Sequence, residues 1–232
     1  MESMLFEFSY FGKSLTSDVP YVSVTDSEEA QRAEVCDVCG HQWKVLRGSV
    51  SLNVEGGRYW PDIMRVDGKS PMVVVSSRVM DGFVSVGIRG FASYEARVVG
   101  IDSDTLSLEK CPTYYYLELC RGIDVDPDAS GIELEYACRA CPRLSKIYDA
   151  NAPLVPDLST WEGLDVFTFR NIRSQIRCCT LKVVELARQH RWSNFFFQFM
   201  GANPLLPVAQ RKIDYLGEMW PPTGWPPWTQ KM

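Results

Sequence analysis

Histidine is scarce in this sequence, and the motifs of the common enzyme classes are missing. The two histidines, His41 and His190, are not accompanied by a recognisable nucleophile motif. Neither a phosphate-binding P-loop nor a G-x-G-x-x-G dinucleotide motif is present. These absences argue against hydrolytic, nucleotide-dependent and dinucleotide-dependent catalysis. We therefore expect a protein that is not an enzyme.

Long apolar stretches are missing as well. No run approaches the roughly 18 residues that a helix needs to span a bilayer. The first residues, MESMLFEF, lack the basic region with which a signal peptide begins. The hydrophobic fraction of 46% and the charged fraction of 23% are typical of a folded soluble protein. We expect a cytoplasmic protein without a membrane partner, whose eight cysteines are not organised as a disulfide framework.

The excess of positive charge that is typical of general nucleic-acid binders is also absent, because the net charge is −5. Negative charge is concentrated in residues 102–135, which hold nine acids against two bases. Such a surface is suited to steering a basic partner, although solubility alone also explains it. The stretch DVDPD at 124–128 imitates a calcium-binding loop, but Ala129 stands where that turn requires glycine, so we interpret it as an acidic loop. The candidate partner-binding residues are Asp124, Asp126 and Asp128.

Cysteine, by contrast, occurs in two closely spaced pairs, Cys36-x-x-Cys39 and Cys138-x-x-Cys141. This spacing lets both thiolates of a tight turn bind one ion, while the amides of the turn offset the negative charge. Two such pairs complete a tetrahedral Cys₄ zinc site, which is structural because four thiolates leave no open coordination position. About 100 residues separate the pairs, so an inserted domain must return the chain to the same place. The alternatives are a thioredoxin-like redox pair and four unliganded buried thiols.

The other four cysteines are expected to be core thiols. Cys111 and Cys120 flank an apparent strand, and Cys178 and Cys179 precede a predicted helix. His41 follows Cys39 by two residues and could replace a thiol as a ligand, although a surface position in the knuckle is favoured.

A weak internal repeat with an offset of 104 residues indicates how the body is built. Ser76 aligns with Thr180, and Gly90 aligns with Asn194. Each copy predicts a strand, a Ser/Thr N-cap, an amphipathic helix, a turn and a second strand. Glycine and asparagine both tolerate the left-handed backbone that a turn after a helix requires.

These patterns predict an α+β fold in which a zinc-knuckle, zinc-ribbon-like element links a pseudo-duplicated strand–helix–strand body. We expect one composite domain over residues 1–232. It comprises a knuckle region (1–60 with 132–150), a first α+β unit (61–131), a second α+β unit (151–200) and a Trp/Pro-rich tail (201–232). Strands are predicted at 4–9, 19–25 and 43–54, the start of a short helix at 26–29, and a connector at 149–160.

Several of these features together resemble a known family, the double-CXXCG motif family of bacterial immunity proteins, which is known chiefly from myxobacteria. The likeness covers roughly residues 30–200 and departs from the family pattern at Pro142, where the second motif has glycine. Proline forbids the positive φ that glycine permits, so the second turn is expected to differ. The residues that carry the resemblance are Cys36, Cys39, Gly40, Cys138, Cys141, Leu164, Asp165, Val166, Phe167, Asn171 and the helix at 183–188.

The resemblance implies an immunity protein, an antitoxin that binds and neutralises a cognate toxin. It also implies that Zn²⁺ is held by Cys36, Cys39, Cys138 and Cys141. It identifies no toxin-contact residue, so the assignment of the acidic stretch to the partner rests on charge alone. The alternative is a zinc-ribbon nucleic-acid-binding or transcription-linked module that uses the basic residues between 170 and 191, with nucleic acid disfavoured by the net charge. A redox or hydrolytic enzyme is the least favoured interpretation.

Overall fold

The computed structural model describes residues 5–10, 19–26, 31–66, 72–133, 138, 154–172 and 176–200. Within these ranges the chain is mostly β-sheet with few helices, which agrees with an α+β class at the coarse level. The strands are β1 (Leu5–Tyr10), β2 (Tyr21–Asp26), β3 (Gln31–Val35), β4 (Gln42–Leu46), β5 (Val50–Glu55), β6 (Ile63–Val66), β7 (Val73–Ser76), β8 (Phe91–Asp102), β9 (Tyr114–Leu119), β10 (Arg121–Asp126), β11 (Val155–Asp157), β12 (Val166–Phe169), β13 (Arg177–Thr180) and β14 (Phe195–Phe199). The helices are α1 (Ser77–Ser85), α2 (Pro127–Ser130) and α3 (Leu181–His190).

Six strands form a closed barrel in the order β2-β5-β8-β9-β7-β6. Along β5, buried Val50, Leu52 and Val54 alternate with more exposed polar residues, as a strand with one face on a core requires. The parallel pairing of β5 with β8 closes the barrel. Its buried core includes Val22, Leu52, Val54, Met64, Val74 and Tyr116.

Six further strands form an open sheet in the order β11-β10-β12-β13-β1-β14. The N-terminal strand β1 lies between β13 and β14 and is antiparallel to both. One face of this sheet carries a core that includes Leu5, Ile123, Val125, Phe167, Phe169 and Cys178.

A third hydrophobic cluster joins the barrel, the open sheet and the two longer helices. It contains residues of β1, β7 and β13 together with the buried faces of α1 and α3. The rings of Phe83 and Trp192 meet edge to face, with their centroids 5.6 Å apart. Gly82 in α1 leaves room for this contact, since a Cβ at that position would lie 2.5 Å from the Trp192 ring. Helix α1 therefore packs, through a glycine and an aromatic side chain, against the turn that follows α3.

The strand–helix–strand segments predicted at the two copies of the repeat are both present. They are β7-α1-β8 and β13-α3-β14, and each element of the second begins 104 residues after its counterpart. Ser76 and Thr180 occupy the N-cap positions of α1 and α3, although neither hydroxyl caps its helix. Gly90 and Asn194 have φ of +113° and +65°, which confirms the predicted positive φ at both turns.

Several other predictions for secondary structure need correction. The residues directly before Cys36 form β3 and not a helix, while residues 27–30 lie outside the described ranges. The segment predicted as one strand at 43–54 is two strands, β4 and β5, separated by a turn at Gly48, whose φ is +146°. Part of the predicted connector at 149–160 is β11, which pairs with β10. In this pairing Val125 opposes Pro156. The predicted acidic loop is the end of β10 followed by α2, a turn of helix that Asp126 caps.

No helix in the described part of the chain is long and apolar enough to cross a membrane. The tail at 201–232 lies outside the described residues. The predicted division of the chain into a knuckle region and two α+β units stays a prediction.

Candidate metal centre

The first cysteine pair lies on the connection between β3 and β4, which form a two-stranded sheet among the described strands. The chain reverses here because the Cys36 amide donates to the His41 carbonyl (2.9 Å) and the Gly40 amide donates to the Cys36 carbonyl (2.8 Å). Gly40 has a φ of +67°, a left-handed conformation that costs glycine little. The tight turn holds the sulfurs of Cys36 and Cys39 close to each other.

The second pair contributes a thiol to the same place. The Sγ atoms of Cys36 and Cys138 are 3.8 Å apart, although 102 residues separate them in the chain. The three Sγ atoms of Cys36, Cys39 and Cys138 all lie within 4.8 Å of one another. The structure therefore brings three of the four predicted ligands together, and these three could hold a metal ion. Cys141, the fourth predicted ligand, lies outside the described residues, as does Pro142.

One separation among these sulfurs can be compared with the value expected for a tetrahedral thiolate site. Ligands on a tetrahedral zinc ion with Zn–S bonds of about 2.3 Å have sulfurs separated by about 3.8 Å. The Cys36–Cys138 separation equals that value. Cys36 is buried, Cys138 is half-buried and Cys39 is exposed, so one side of the cluster is open to solvent. The geometry and the soft sulfur donors suit a thiophilic ion such as Zn²⁺.

The remaining cysteines fall into two groups. Cys178 and Cys179 are buried in β13, and burial raises the pKa of both thiols well above the usual value, so they are confirmed as core thiols that stay protonated. Cys111 is half-buried, and its burial raises the pKa to about 11. Cys120 is exposed, so its assignment to the core was wrong. It directly follows β9, at the junction with β10, where the chain reaches the surface.

His41 is stacked on Trp43, with ring centroids 6.0 Å apart. Among the described residues, the group of possible metal ligands contains the three thiols and not this imidazole. His41 is half-buried in the turn between β3 and β4, whereas the sequence favoured a surface position for it.

The three acids proposed to contact a partner occupy different environments. Asp124 accepts two hydrogen bonds from Arg170, at 3.0 Å from Nε and 3.2 Å from Nη2. The Asp126 side chain accepts from the Ala129 amide and caps α2. Asp128 is exposed. Of the three carboxylates, Asp128 is therefore the one whose charge faces solvent most directly.

Several residues of the basic stretch at 170–191 serve the fold. Arg170 pairs with Asp124 and Glu162, and its hydrogen bond with Asp124 is the main cause of its raised pKa. Lys182 lies 3.6 Å from Asp165. Arg177 is buried and donates to the Met72 carbonyl. Because these three cations already contact protein groups, the stretch does not present a continuous basic face at these positions.

Two carboxylates, buried Asp62 and half-buried Asp165, make contacts that were not predicted from the sequence, although Asp165 is among the residues that carry the family resemblance. Each directly precedes a strand, β6 or β12, and each contacts the start of the following helical segment. The sequence contains a signal for them, since Asp62-Ile63-Met64 and Asp165-Val166-Phe167 are related by an offset of 103 residues. The repeat was aligned only from residue 76 onward, so this part of it was missed.

No protein-family model matches this chain. The search of curated proteins also finds no match.

Proposed function

We propose that this protein is an immunity protein that binds and neutralises a cognate bacterial toxin, and that a structural zinc ion supports its fold. The observation that carries the proposal is the convergence of Cys36, Cys39 and Cys138 from two distant C-x-x-C motifs. Those are the motifs on which the resemblance to the double-CXXCG immunity family rests. The toxin partner is implied by the resemblance, and the metal is supported by the sulfur spacing.

The proposed ligand set is Cys36, Cys39, Cys138 and Cys141. Four thiolates saturate a tetrahedral ion, so the metal would act on stability and not on chemistry. It would fix the β3–β4 hairpin, which carries Cys36 and Cys39, to the part of the chain that carries Cys138. A small exposed two-stranded sheet has little core of its own, and a metal is a usual way to hold such an element.

The finer description of the fold is also a proposal. The body is a pseudo-duplicated strand–helix–strand arrangement with a zinc knuckle attached to it. This is supported by the matching starts of β7-α1-β8 and β13-α3-β14 and by the matching turns at Gly90 and Asn194.

Neutralisation requires a surface that the toxin recognises, and we assign this role to the acidic stretch at 102–135. Exposed acids raise the rate of association with a basic partner, while a few buried contacts supply most of the affinity. Asp128 is the best position at which to test this role by charge reversal, because a charge reversal at Asp124 would also break the ion pair of Asp124 with Arg170. The toxin would be met in the cytoplasm, the compartment that we expect for this chain.

The test of the zinc site is the metal content of purified protein. We expect one zinc ion per chain, and we expect Cys36→Ser to lose it because a tetrahedral thiolate site loses one of its four donors. Cys120→Ser is the matched control, since Cys120 is an exposed thiol outside the cluster. Zinc well below one per chain in the parent, or unchanged zinc in Cys36→Ser, would contradict the site.

The test of function is survival of a sensitive host. The C-terminal domain of the adjacent upstream gene product is expressed with and without this protein, and survivors are counted. Rescue is expected from the parent, and we expect slower association and weaker rescue from Asp128→Lys because steering is lost. Glu185→Lys, which changes an exposed acid on α3, is the control and should rescue like the parent. A lethal toxin domain that the parent does not neutralise would refute the proposal.

A further inference from the structure

The strands of the barrel and of the open sheet follow the same order. Starting from β2, the barrel has β2 paired with β6, β6 with β7, β7 with β9, and β9 with β8. The open sheet has β10 paired with β12, β12 with β13, β13 with β1, and β1 with β14. The directions agree at every step, with the first pair parallel and the other three antiparallel.

The registers also agree across the pairs that involve β9 in the barrel and β1 in the open sheet. Ser76 opposes Tyr114 across β7 and β9, and Thr180 opposes Leu5 across β13 and β1. At the other end of β9, Leu119 opposes Phe91 of β8 in the barrel.

Tyr10 opposes Phe195 at the corresponding place in the open sheet. Because Phe195 follows Phe91 by 104 residues, β1 occupies in the open sheet the position that β9 occupies in the barrel.

We propose that the chain consists of two equivalent units, residues 5–102 and 114–199, that have exchanged their first strands. The first strand of unit one, β1, completes the sheet of unit two, and the first strand of unit two, β9, completes the barrel of unit one. A common strand–helix–strand motif alone would not give this result, because the shared order extends over β6, β12 and the strands beyond them. The unit boundaries differ from those predicted from the sequence.

Two carboxylates also join the units, and each contacts groups of its own unit and of the other unit. Asp62 accepts from the Ser76 hydroxyl (2.7 Å) and from Arg78 (3.0 Å) in its own unit. It also accepts from the Ser193 amide (2.7 Å), which lies in the turn after α3 of the other unit.

Asp165 repeats this pattern from the other side. In its own unit it contacts the Thr180 hydroxyl and lies 3.6 Å from Lys182. From the other unit it accepts a hydrogen bond from the Arg89 amide (3.0 Å), in the turn after α1. Arg89 precedes Ser193 by 104 residues, so both carboxylates link the start of one helix to the end of the other.

The metal cluster has the same relation to the two units. Cys36 lies between β2 and β5, and Cys138 lies between β10 and β11, which are corresponding pairs of antiparallel strands. One knuckle from each unit would then supply half of the ligands. This part of the inference rests on the proposed zinc site, whereas the strand exchange and the carboxylate contacts do not.

Strand exchange can be tested on the full-length chain by a disulfide that only the exchanged pairing allows. Glu7 in β1 opposes Cys178 in β13, and directly opposed antiparallel residues have Cα separations within the range of a disulfide. A protease recognition sequence is inserted between Glu109 and Lys110, two exposed residues that lie between the units. Cys36 and Cys39, the two cysteines before the cleavage site, are changed to Ser in every sample, because Cys36 lies 3.8 Å from Cys138 and its oxidation would also join the fragments. Glu7→Cys protein in this background is oxidised, cleaved and compared with and without reductant on a denaturing gel.

We expect most of the cleaved Glu7→Cys protein to run at the uncleaved mass without reductant and as two fragments with it. The parent and the double variant Glu7→Cys with Cys178→Ala should give two fragments in both cases. The reciprocal pair Val75→Cys with Tyr115→Cys, in β7 and β9, should behave like Glu7→Cys and guards against misfolding of one variant.

Separate fragments from both disulfide variants, in protein whose circular dichroism matches the parent, would overturn the exchange. The gel does not depend on toxin neutralisation. Zinc content is measured separately on protein that keeps Cys36 and Cys39, so failure of the strand exchange, of the metal site and of the immunity function can be distinguished.

Discussion

The barrel and the open sheet share a strand order, yet one closes and the other does not. In the barrel, the six residues of β5 lie in parallel along the twelve-residue β8. At the corresponding ends of the open sheet, β11 has three residues and β14 has five. Closure requires end strands long enough to meet after the sheet has twisted. Within the described residues, the shared strand order therefore does not by itself produce closure, and the open sheet is the one with the shorter edge strands.

A second difference lies in the carboxylates that link the two regions. The Asp62 side chain is 6% exposed and contacts Ser76, Arg78 and Ser193. The Asp165 side chain is 14% exposed and has longer contacts with Thr180 and Lys182. Asp62 is therefore less exposed to solvent than Asp165 and makes shorter contacts with the start of its helix.

The largest effect on the coupling of the barrel and the open sheet is expected when a buried side chain is shortened at equivalent positions of β1 and β9. Phe8→Ala should lower the free energy of unfolding by about 4 kcal/mol and Leu117→Ala by about 3 kcal/mol, because each leaves a cavity in the shared core. Denaturant unfolding followed by circular dichroism measures both values. Since each strand belongs to one unit and completes the other, a single transition is expected in both variants. A barrel that stays folded in Phe8→Ala while the open sheet unfolds would contradict the coupling.

The two turns after the helices give the next largest effect. A Cβ at Gly90 would lie 1.9 Å from the Val166 carbonyl oxygen at a φ of +113°, so Gly90→Ala should cost about 3 kcal/mol. At the equivalent place, Asn194 donates to the Ile63 carbonyl (2.8 Å), and Asn194→Gly should cost only about 1 kcal/mol by losing that bond.

Thermal unfolding of the two turn variants ranks them directly. Asn194→Gly is the matched control for backbone freedom, since glycine adopts the φ of +65° without strain. Equal melting temperatures for Gly90→Ala and Asn194→Gly would show that the two turns are not packed as described.

The smallest effect is expected from the carboxylates. Asp62→Asn should destabilise by about 2 kcal/mol, because it removes a charge-assisted set of buried hydrogen bonds. Asp165→Asn should cost about 1 kcal/mol at most, because its partner Lys182 is largely solvated and the contact is long. Chemical denaturation of the two single variants and the double variant gives both values and their coupling. A larger loss of unfolding free energy in Asp165→Asn than in Asp62→Asn would contradict the order that the burial of the two carboxylates predicts.

The local parts of the fold were predictable because short-range rules govern them. The N-cap positions at Ser76 and Thr180, and the positive φ at Gly90 and Asn194, follow from side-chain and steric preferences over a few residues. The spacing within Cys36-x-x-Cys39 likewise requires only one turn. The helix predicted before Cys36 was wrong because the hairpin with β4 determines the conformation of β3.

Non-local features could not be predicted in the same way. Cys120 was assigned to the core from its place beside an apolar strand, but the chain leaves the barrel at that residue. The three acids at 124, 126 and 128 look equivalent in sequence, and only the positions of Arg170 and α2 distinguish them.

The turn that carries Cys36 and Cys39, the two strand–helix–strand segments and the left-handed turns follow from the sequence alone, because each depends on neighbours a few residues away. The tertiary structure decided the closure of the barrel, the place of β1 between β13 and β14, and the meeting of Cys36 with Cys138. These features depend on residues far apart in the chain, from the pairing of Val50 with Ala96 to that of Phe6 with Phe199. Such pairings form only where the register, the strand length and the burial of apolar surface together outweigh the entropy of closing the loop.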